Sequence, residues 1–421
     1  MRPRVPFKLE SIAFRCYALS GKEIREKSQL IRSICLLQVH LNSCRPLTRR
    51  YFRLKRQVYL LLAALYKYMF YSPTVKASWR SFHERVRIER WSDEELWNLN
   101  RIRRHDFHKL LVILHLDAER LVVDDHGSVF SGEEMLILAR YKFITGLKFT
   151  HMCSLFKRDS SQLSRAFNFF IRHMVDNFLH LLSDGNLEYW LKYFPTFSES
   201  IRKKFADVTG IHYPPNHYRV CCYIDDTVIR ICRPGAGPNP DGTRKNNDIQ
   251  RAFYNGWKKQ HGIKYQSLEA PNGMCMHLFG PLSCRRSDLE LLSLSNINET
   301  MRNLQEGEAA QYAGYGDGIF PILSHIISKH DGENLSELLM DENNGMHSIR
   351  VSNEWSYGHT GNLFPFVKDH RNFKILQNKQ CGSYYYVATL LKNAQICLYG
   401  SNSSIYFNCP IPSLEEYFQY E

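Results

Sequence analysis

The most constraining feature of the sequence is an apolar run at residues 218–231 with two adjacent acids at its centre. Its β-branched and aromatic residues predict a strand that is buried in a sheet. A buried carboxylate is unfavourable unless it is paired, hydrogen-bonded or bound to a metal. Because neighbouring side chains on a strand face opposite sides, Asp225 and Asp226 cannot both face one site. We therefore expect one of them to have a structural role.

The sequence after residue 200 predicts an α/β domain at 201–421. A tight-turn signal joins two of its strands, so they pair antiparallel and the sheet is expected to be mixed. Asp288 is expected to cap the first helix that follows this hairpin. The remaining expected elements are strands at 262–270, 274–282 and 310–315 and helices at 288–294 and 349–367.

Residues 91–200 are predicted to be helical and to contain a helix-turn-helix at 132–173. Its third helix is expected to begin after Asp159 as N-cap, and its first turn carries side chains suited to phosphates and base edges. A plain helical bundle would give the same pattern. The expected helices cover 132–143, 149–156 and 160–173, and the first-turn residues are Ser160, Ser161, Gln162, Ser164 and Arg165.

The positive charge of the chain is concentrated at its N-terminal end. The net charge is +13, and residues 1–100 hold 20 Lys and Arg against 8 Asp and Glu. The densest cluster, at 49–56, has five basic residues in eight. We interpret residues 1–90 as a basic arm, helical or partly disordered, that favours a polyanion or acts as a nuclear-import signal. A solvated helix face is the alternative interpretation.

The cysteines and apolar runs limit the class of protein. The twelve cysteines include no CxxC pair, and Cys221 and Cys222 lie inside the apolar strand, where we expect buried thiols. This usage is typical of a reducing compartment, the cytosol or the nucleus. No apolar run approaches the roughly 20 residues of a membrane span, so no membrane contact is expected.

Two further acids lie at positions suited to chemistry. Asp317 follows a predicted strand and stands between glycines, and Glu354 lies in an apolar helical stretch. Together with Asp225 they could converge at one end of the sheet, where hard oxygen ligands suit Mg²⁺ or Mn²⁺. Two such ions, about 3.5–4 Å apart, could promote phosphodiester cleavage. A capping or solvated role is the ordinary interpretation of each acid taken alone.

Short motifs follow one another in a specific order over about residues 90–421. They are YIDDTV (223–228), ICRP (231–234), YNG (254–256), KYQS (264–267), GP (280–281), RRSD (285–288), YGDGIFP (315–321), SNEWSYG (352–358), LYGS (398–401) and PSLEEY (412–417). In this order they resemble the DDE transposases of the PIF/Harbinger superfamily, which have a Harbinger-like nuclease domain.

The resemblance implies an RNase H-like endonuclease domain that acts on double-stranded DNA in the nucleus. It implies that Asp225, Asp317 and Glu354 are the catalytic acids and hold two Mg²⁺ or Mn²⁺ ions. It also implies a Myb-like accessory protein as a partner, and we expect a homodimer. The basic residues Arg251, Lys258, Lys259, Arg285 and Arg286 are candidates for the DNA backbone, with a solvated face as the alternative.

The sequence departs from the family pattern at three positions. Asp226 stands where glycine is usual, and Ser287 and Trp257 replace common histidines. The leading hypothesis is a DNA transposase or endonuclease. The alternatives are a domesticated transposase that binds DNA or protein without cutting, and an unrelated metal-dependent phosphohydrolase that acts on small substrates.

Overall fold

The computed structural model describes residue 58 and residues 86–419, except for 124–127, 213–218, 236, 239–244, 247, 309–310 and 379. The chain divides into two compact units, Met1–Glu84 and Arg85–Glu421. Every described residue except Val58 belongs to the second unit. The basic cluster at 49–56 lies outside the described residues.

The first part of the second unit is helical. The three helices expected at 132–173 are present, and the third is longer than expected because Met174 and Phe178 continue its buried stripe. The Arg158 guanidinium pairs with both oxygens of the buried Glu134 carboxylate at 2.7 Å, which joins the turn between the second and third helices to the first helix. The elements are α1 (Asp93–Asn100), α2 (Arg104–Ile113), β1 (Leu121–Val122), β2 (Val129–Phe130), α3 (Gly132–Thr145), α4 (Phe149–Phe156), α5 (Ser160–Phe178), α6 (Leu187–Leu191) and α7 (Phe194–Thr209).

The second part is built on a six-stranded mixed sheet, which confirms the expected strand pairing. Strands β9 and β10 run parallel to β3, whereas β7 pairs antiparallel with β3, β6 and β8. The strand order is β10-β9-β3-β7-β6, and β8 pairs with β7 on the edge away from β3. The strands are β3 (Val220–Arg230), β4 (Gly237–Pro238), β5 (Lys245–Asn246), β6 (Tyr254–Asn255), β7 (Gln260–Glu269), β8 (Cys275–Ser283), β9 (Ala313–Tyr315) and β10 (Ile326–Ile327).

Helices cover both faces of this sheet. Ser267 on β7 is hydrogen-bonded to Tyr357 of α11, and Glu269 contacts α11 and α12 through Ser356 and Lys392. The opposite face is covered by α9. The helices are α8 (Asp248–Ala252), α9 (Asp288–Ser295), α10 (Ile297–Leu304), α11 (Glu337–Leu363), α12 (Ser383–Tyr399), α13 (Asn402–Tyr406) and α14 (Leu414–Phe418).

Two sequence predictions about helix starts are wrong. Ser287, not Asp288, is the N-cap of α9: its hydroxyl accepts the Glu290 N–H in a capping box. Helix α11 begins at Glu337 rather than near residue 349. Its first half contains Gly345, which packs so close to Phe205 that a Cβ would lie 2.5 Å from the ring.

The cysteines of β3 behave as expected. Cys221 and Cys222 are buried and unpaired, which confirms that they are thiols of the core. Among the described residues, no helix is both long enough and apolar enough to cross a membrane.

Candidate active site

The candidate active site lies where the parallel strands β3 and β9 meet. Tyr223 and Tyr315 are partners in the ladder, and each is followed two residues later by an aspartate, Asp225 or Asp317. Adjacent strands are about 4.8 Å apart, so this equal offset places the two acids side by side. An apolar strand and a distant glycine-rich turn therefore bring together acids that are far apart in the sequence.

Among the described side chains, the Arg350 guanidinium approaches both acids. One Arg350 nitrogen is 3.4 Å from an Asp225 oxygen, and the other is 3.9 Å from an Asp317 oxygen. The Arg350 side chain is only 11% exposed, whereas those of Asp225 and Asp317 are 22% and 61% exposed. The site is thus open at Asp317 and enclosed at Arg350.

Each aspartate is oriented by its own backbone. The Asp226 N–H donates to Asp225 at 2.8 Å, and the Gly318 N–H donates to Asp317 at 2.7 Å. Burial raises the pKa of Asp225, and the charge of Asp317 adds to this effect, while the Asp226 N–H and the Arg350 guanidinium oppose it. A second positive charge near Asp225 would therefore favour its ionised form.

The two aspartates fit a divalent metal ion, because both carboxylates already face one positive group and carboxylate oxygen is a preferred ligand of Mg²⁺ and Mn²⁺. Glu354 is exposed on α11, one helical turn after Arg350. In the described part of the chain, no group of three or more His, Cys, Asp or Glu side chains is arranged to hold a metal. The structure thus brings together Asp225 and Asp317 but not the whole expected trio.

Sequence reasoning missed the basic and amide side chains around Asp317. They line a cleft of about 200 Å³ that has Lys329, Asn343, His347 and Arg350 in its wall. Arg350 could have been found from its spacing, because residues four apart on a helix share a face and Arg350 lies four before Glu354. Lys329 lies in a loop and Asn343 in the first half of α11, within residues 319–350, which the sequence predicts only as loop and helix.

Asp226 faces the other side of β3 and lies in a different environment. Its side chain is 3% exposed, and Lys264 approaches it at 3.8 Å while also forming a close ion pair with Asp288. Gln266 donates to it at 3.2 Å and accepts from Ser295 at 2.6 Å. Burial, followed by the charge of Asp288, raises the pKa of Asp226 to about 8.

The expected DNA-contacting residues fall into two groups. Lys258, Lys259, Arg285 and Arg286 are all exposed, on turns beside β7 and β8. On α5, Ser161 is exposed and the other first-turn residues are half-buried. Ser160, Ser161, Ser164 and Arg165 line a shallow concave surface together with Lys148. Gln162 instead accepts the Asp159 N–H in the capping box of α5.

A comparison with known proteins finds a match over the segment that contains the candidate active site. Residues 224–393 match the family model described as DDE superfamily endonuclease, a range that includes Asp225, Asp317 and Glu354. This match supports a relationship to the DDE transposases and suggests a nuclease, and DDE superfamily endonucleases typically use divalent metals. No curated protein and no solved structure matches the chain.

Proposed function

We propose that this protein is a Harbinger-type DNA transposase or endonuclease that cleaves and joins phosphodiester bonds. The observation that carries the proposal is the pairing of Asp225 and Asp317 across two parallel strands, around one cation and within the matched segment. Its domain would then have the RNase H-like architecture, with which the mixed sheet and its covering helices are compatible.

Asp225 and Asp317 would hold the divalent ions, and Glu354 would complete the set from α11. When bound, Mg²⁺ or Mn²⁺ ions supply the positive charge that helps an attacking water or 3′-hydroxyl and the leaving oxygen. Lys329 and His347 line the cleft and could bind the phosphate beside Asp317. Arg350 keeps the two aspartates close together by sharing its charge between them.

Double-stranded DNA is the proposed partner and the nucleus the proposed location. Three groups of residues support this: the basic N-terminal sequence, the first turn of α5 with Lys148, and the exposed cations beside β7 and β8. A Myb-like accessory protein and a homodimer belong to the same proposal, by resemblance to the Harbinger-type proteins.

The test is Mn²⁺- or Mg²⁺-dependent nicking of plasmid or terminal-repeat DNA. Asp317→Asn and Glu354→Gln should abolish cleavage, whereas Asp207→Asn, an exposed acid on α7, should leave it unchanged. If Asp317→Asn and Glu354→Gln cleave as well as the parent, the proposed site is wrong.

A domesticated protein that binds DNA without cutting is the second candidate. Two observations favour it: no three-acid group is assembled among the described residues, and Asp226 stands where the family has glycine. Metal titration separates the two candidates. An enzyme should show a Mn²⁺-dependent rise in Tm that Asp225→Ala abolishes, and a binding-only protein should show none.

A further inference from the structure

The turn between β6 and β7 presents a tryptophan to solvent. Trp257 is 92% exposed, the highest exposure among the large hydrophobic side chains described in this structure. A fully exposed indole leaves a large apolar surface in water, and folded proteins have few such side chains beyond what function requires. Its position at the tip of a hairpin makes it accessible to a partner from several sides.

The turn that carries Trp257 is anchored to the neighbouring β8–α9 turn. Asn255 accepts the Lys258 N–H at 2.8 Å and donates to the Cys284 carbonyl, also at 2.8 Å. Lys259 adopts a left-handed backbone conformation with φ of 49°, which reverses the chain directly after the tryptophan. Trp257 therefore projects from a hydrogen-bonded turn.

Five exposed cations lie on this turn, on the adjacent β8–α9 turn and on α8, and together with Trp257 we call them the basic tip. Of the five, only Arg286 forms a salt bridge with a described residue, at 3.7 Å from Glu290. The two turns lie against each other, so these charges form one surface that attracts a polyanion. The members of the basic tip are Arg251, Trp257, Lys258, Lys259, Arg285 and Arg286.

We propose that Trp257 stacks on a nucleobase of DNA whose backbone is held by the cations of the basic tip. This inference rests on the proposed function, because it assumes that DNA is the substrate. Each nucleobase offers an aromatic face, and stacking on an exposed aromatic side chain adds affinity that does not depend on salt. The surrounding positive charge favours a nucleic acid over an apolar protein surface.

The register of the sheet also predicts where along the DNA this contact falls. Asp225 pairs with Ser267, and Trp257 lies ten residues before Ser267 in the chain. Only the part from Gln260 to Ser267 is strand, and at about 3.4 Å per residue it spans roughly 24 Å. The stacked base should therefore lie well away from the cleaved phosphate.

The experiment measures binding of the full chain to two labelled duplexes by fluorescence anisotropy in EDTA, over a series of salt concentrations. One duplex is fully paired, and the other has a single unpaired adenine. Trp257→Ala should weaken binding to the unpaired duplex about tenfold, while Trp257→Phe retains most of the affinity. The slope of log Kd against log salt should be unchanged in Trp257→Ala and smaller by about one in Lys258→Ala.

The outcomes distinguish a protein that does not bind DNA from one that binds DNA without stacking by Trp257. If the parent protein binds neither duplex, the proposed function fails and the inference fails with it. If the parent binds and Trp257→Ala binds equally well, or loses affinity equally for both duplexes, only the inference is overturned. Because Trp257 packs against almost nothing, the variant should unfold at the same Tm as the parent, which checks that binding alone has changed.

Discussion

The two faces of β3 place adjacent acids in opposite roles. Asp225 lies beside Asp317 at an open cleft, and the cation between them is a guanidinium on a covering helix. Asp226 lies on the other face, nearly closed off from solvent, with Lys264 and Asp288 from the sheet and α9. One face has carboxylates that a ligand can reach, and the other has a carboxylate enclosed by protein.

The two acids are neighbours in the sequence but differ in burial: the Asp226 side chain is 3% exposed and the Asp225 side chain 22%. An enclosed acid must be neutral or paired, and the raised pKa of Asp226 is consistent with that requirement. An acid at an open cleft can exchange its partner for a metal or substrate. We therefore expect substitutions on the Asp226 face to change stability and those on the Asp225 face to change metal binding and activity.

The largest stability effect is expected for Lys264→Met. Lys264 is 6% exposed and forms an ion pair with Asp288 beside the buried Asp226, so its loss leaves the Asp288 carboxylate without this partner. We expect the free energy of unfolding to fall by about 3 kcal/mol. Urea unfolding in EDTA measures it, with Lys259→Met, an exposed lysine, as the control. If Lys264→Met lowers the free energy of unfolding no more than the control does, Lys264 does not stabilise the acids on the Asp226 face.

The next largest effect is expected in the pH dependence of the free energy of unfolding, to which Asp226 contributes. Its ordinary pKa is 3.8 and its folded pKa is about 8, so the neutral acid stabilises the fold fully below pH 3.8. That stability is lost as the pH rises towards 8. Between pH 6 and 8 the metal-free parent should lose about 2 kcal/mol relative to Asp226→Asn. Parallel stability profiles of the two proteins would contradict the raised pKa.

A smaller effect is expected on the open face for Arg350→Gln. Because Asp225 and Asp317 are in contact with solvent, the metal-free protein should lose only about 1 kcal/mol. Removing the cation between the aspartates should at the same time lower the Kd for Mn²⁺. Isothermal titration measures the Kd, with Arg371→Gln, which breaks an exposed pair with Asp369, as the control. Weaker Mn²⁺ binding in Arg350→Gln would show that the arginine helps to hold the metal.

Much of the fold could be predicted from local patterns. The three helices at 132–173 and the central strands follow from apolar periodicity, caps and a tight turn, which are properties of short segments. Helix α11 could not be predicted in full, because its polar first half is stabilised by packing of Gly345 against Phe205, a contact distant in sequence. Local propensity gives no information about such a contact.

The site was predictable only in part. The acids were found from their position in apolar segments and from the family resemblance, and the choice between Asp225 and Asp226 stayed open. That choice depends on the pairing of β3 with β9 and on the helix that covers each face. Arg350 was missed although it lies four residues before Glu354 on the same helix. Lys329 was missed because a basic residue in a polar loop carries no signal of its own.

DNA nicking in Mn²⁺ by a matched pair of variants, Asp225→Asn and Asp226→Asn, tests most directly whether the two faces of β3 have different roles. Both replace an acid with its isosteric amide on the same strand, one residue apart. We predict that the cleavage rate of Asp225→Asn falls by about a thousandfold or more, while that of Asp226→Asn stays within a few-fold of the parent. Loss of cleavage in Asp226→Asn with retention in Asp225→Asn would contradict this prediction.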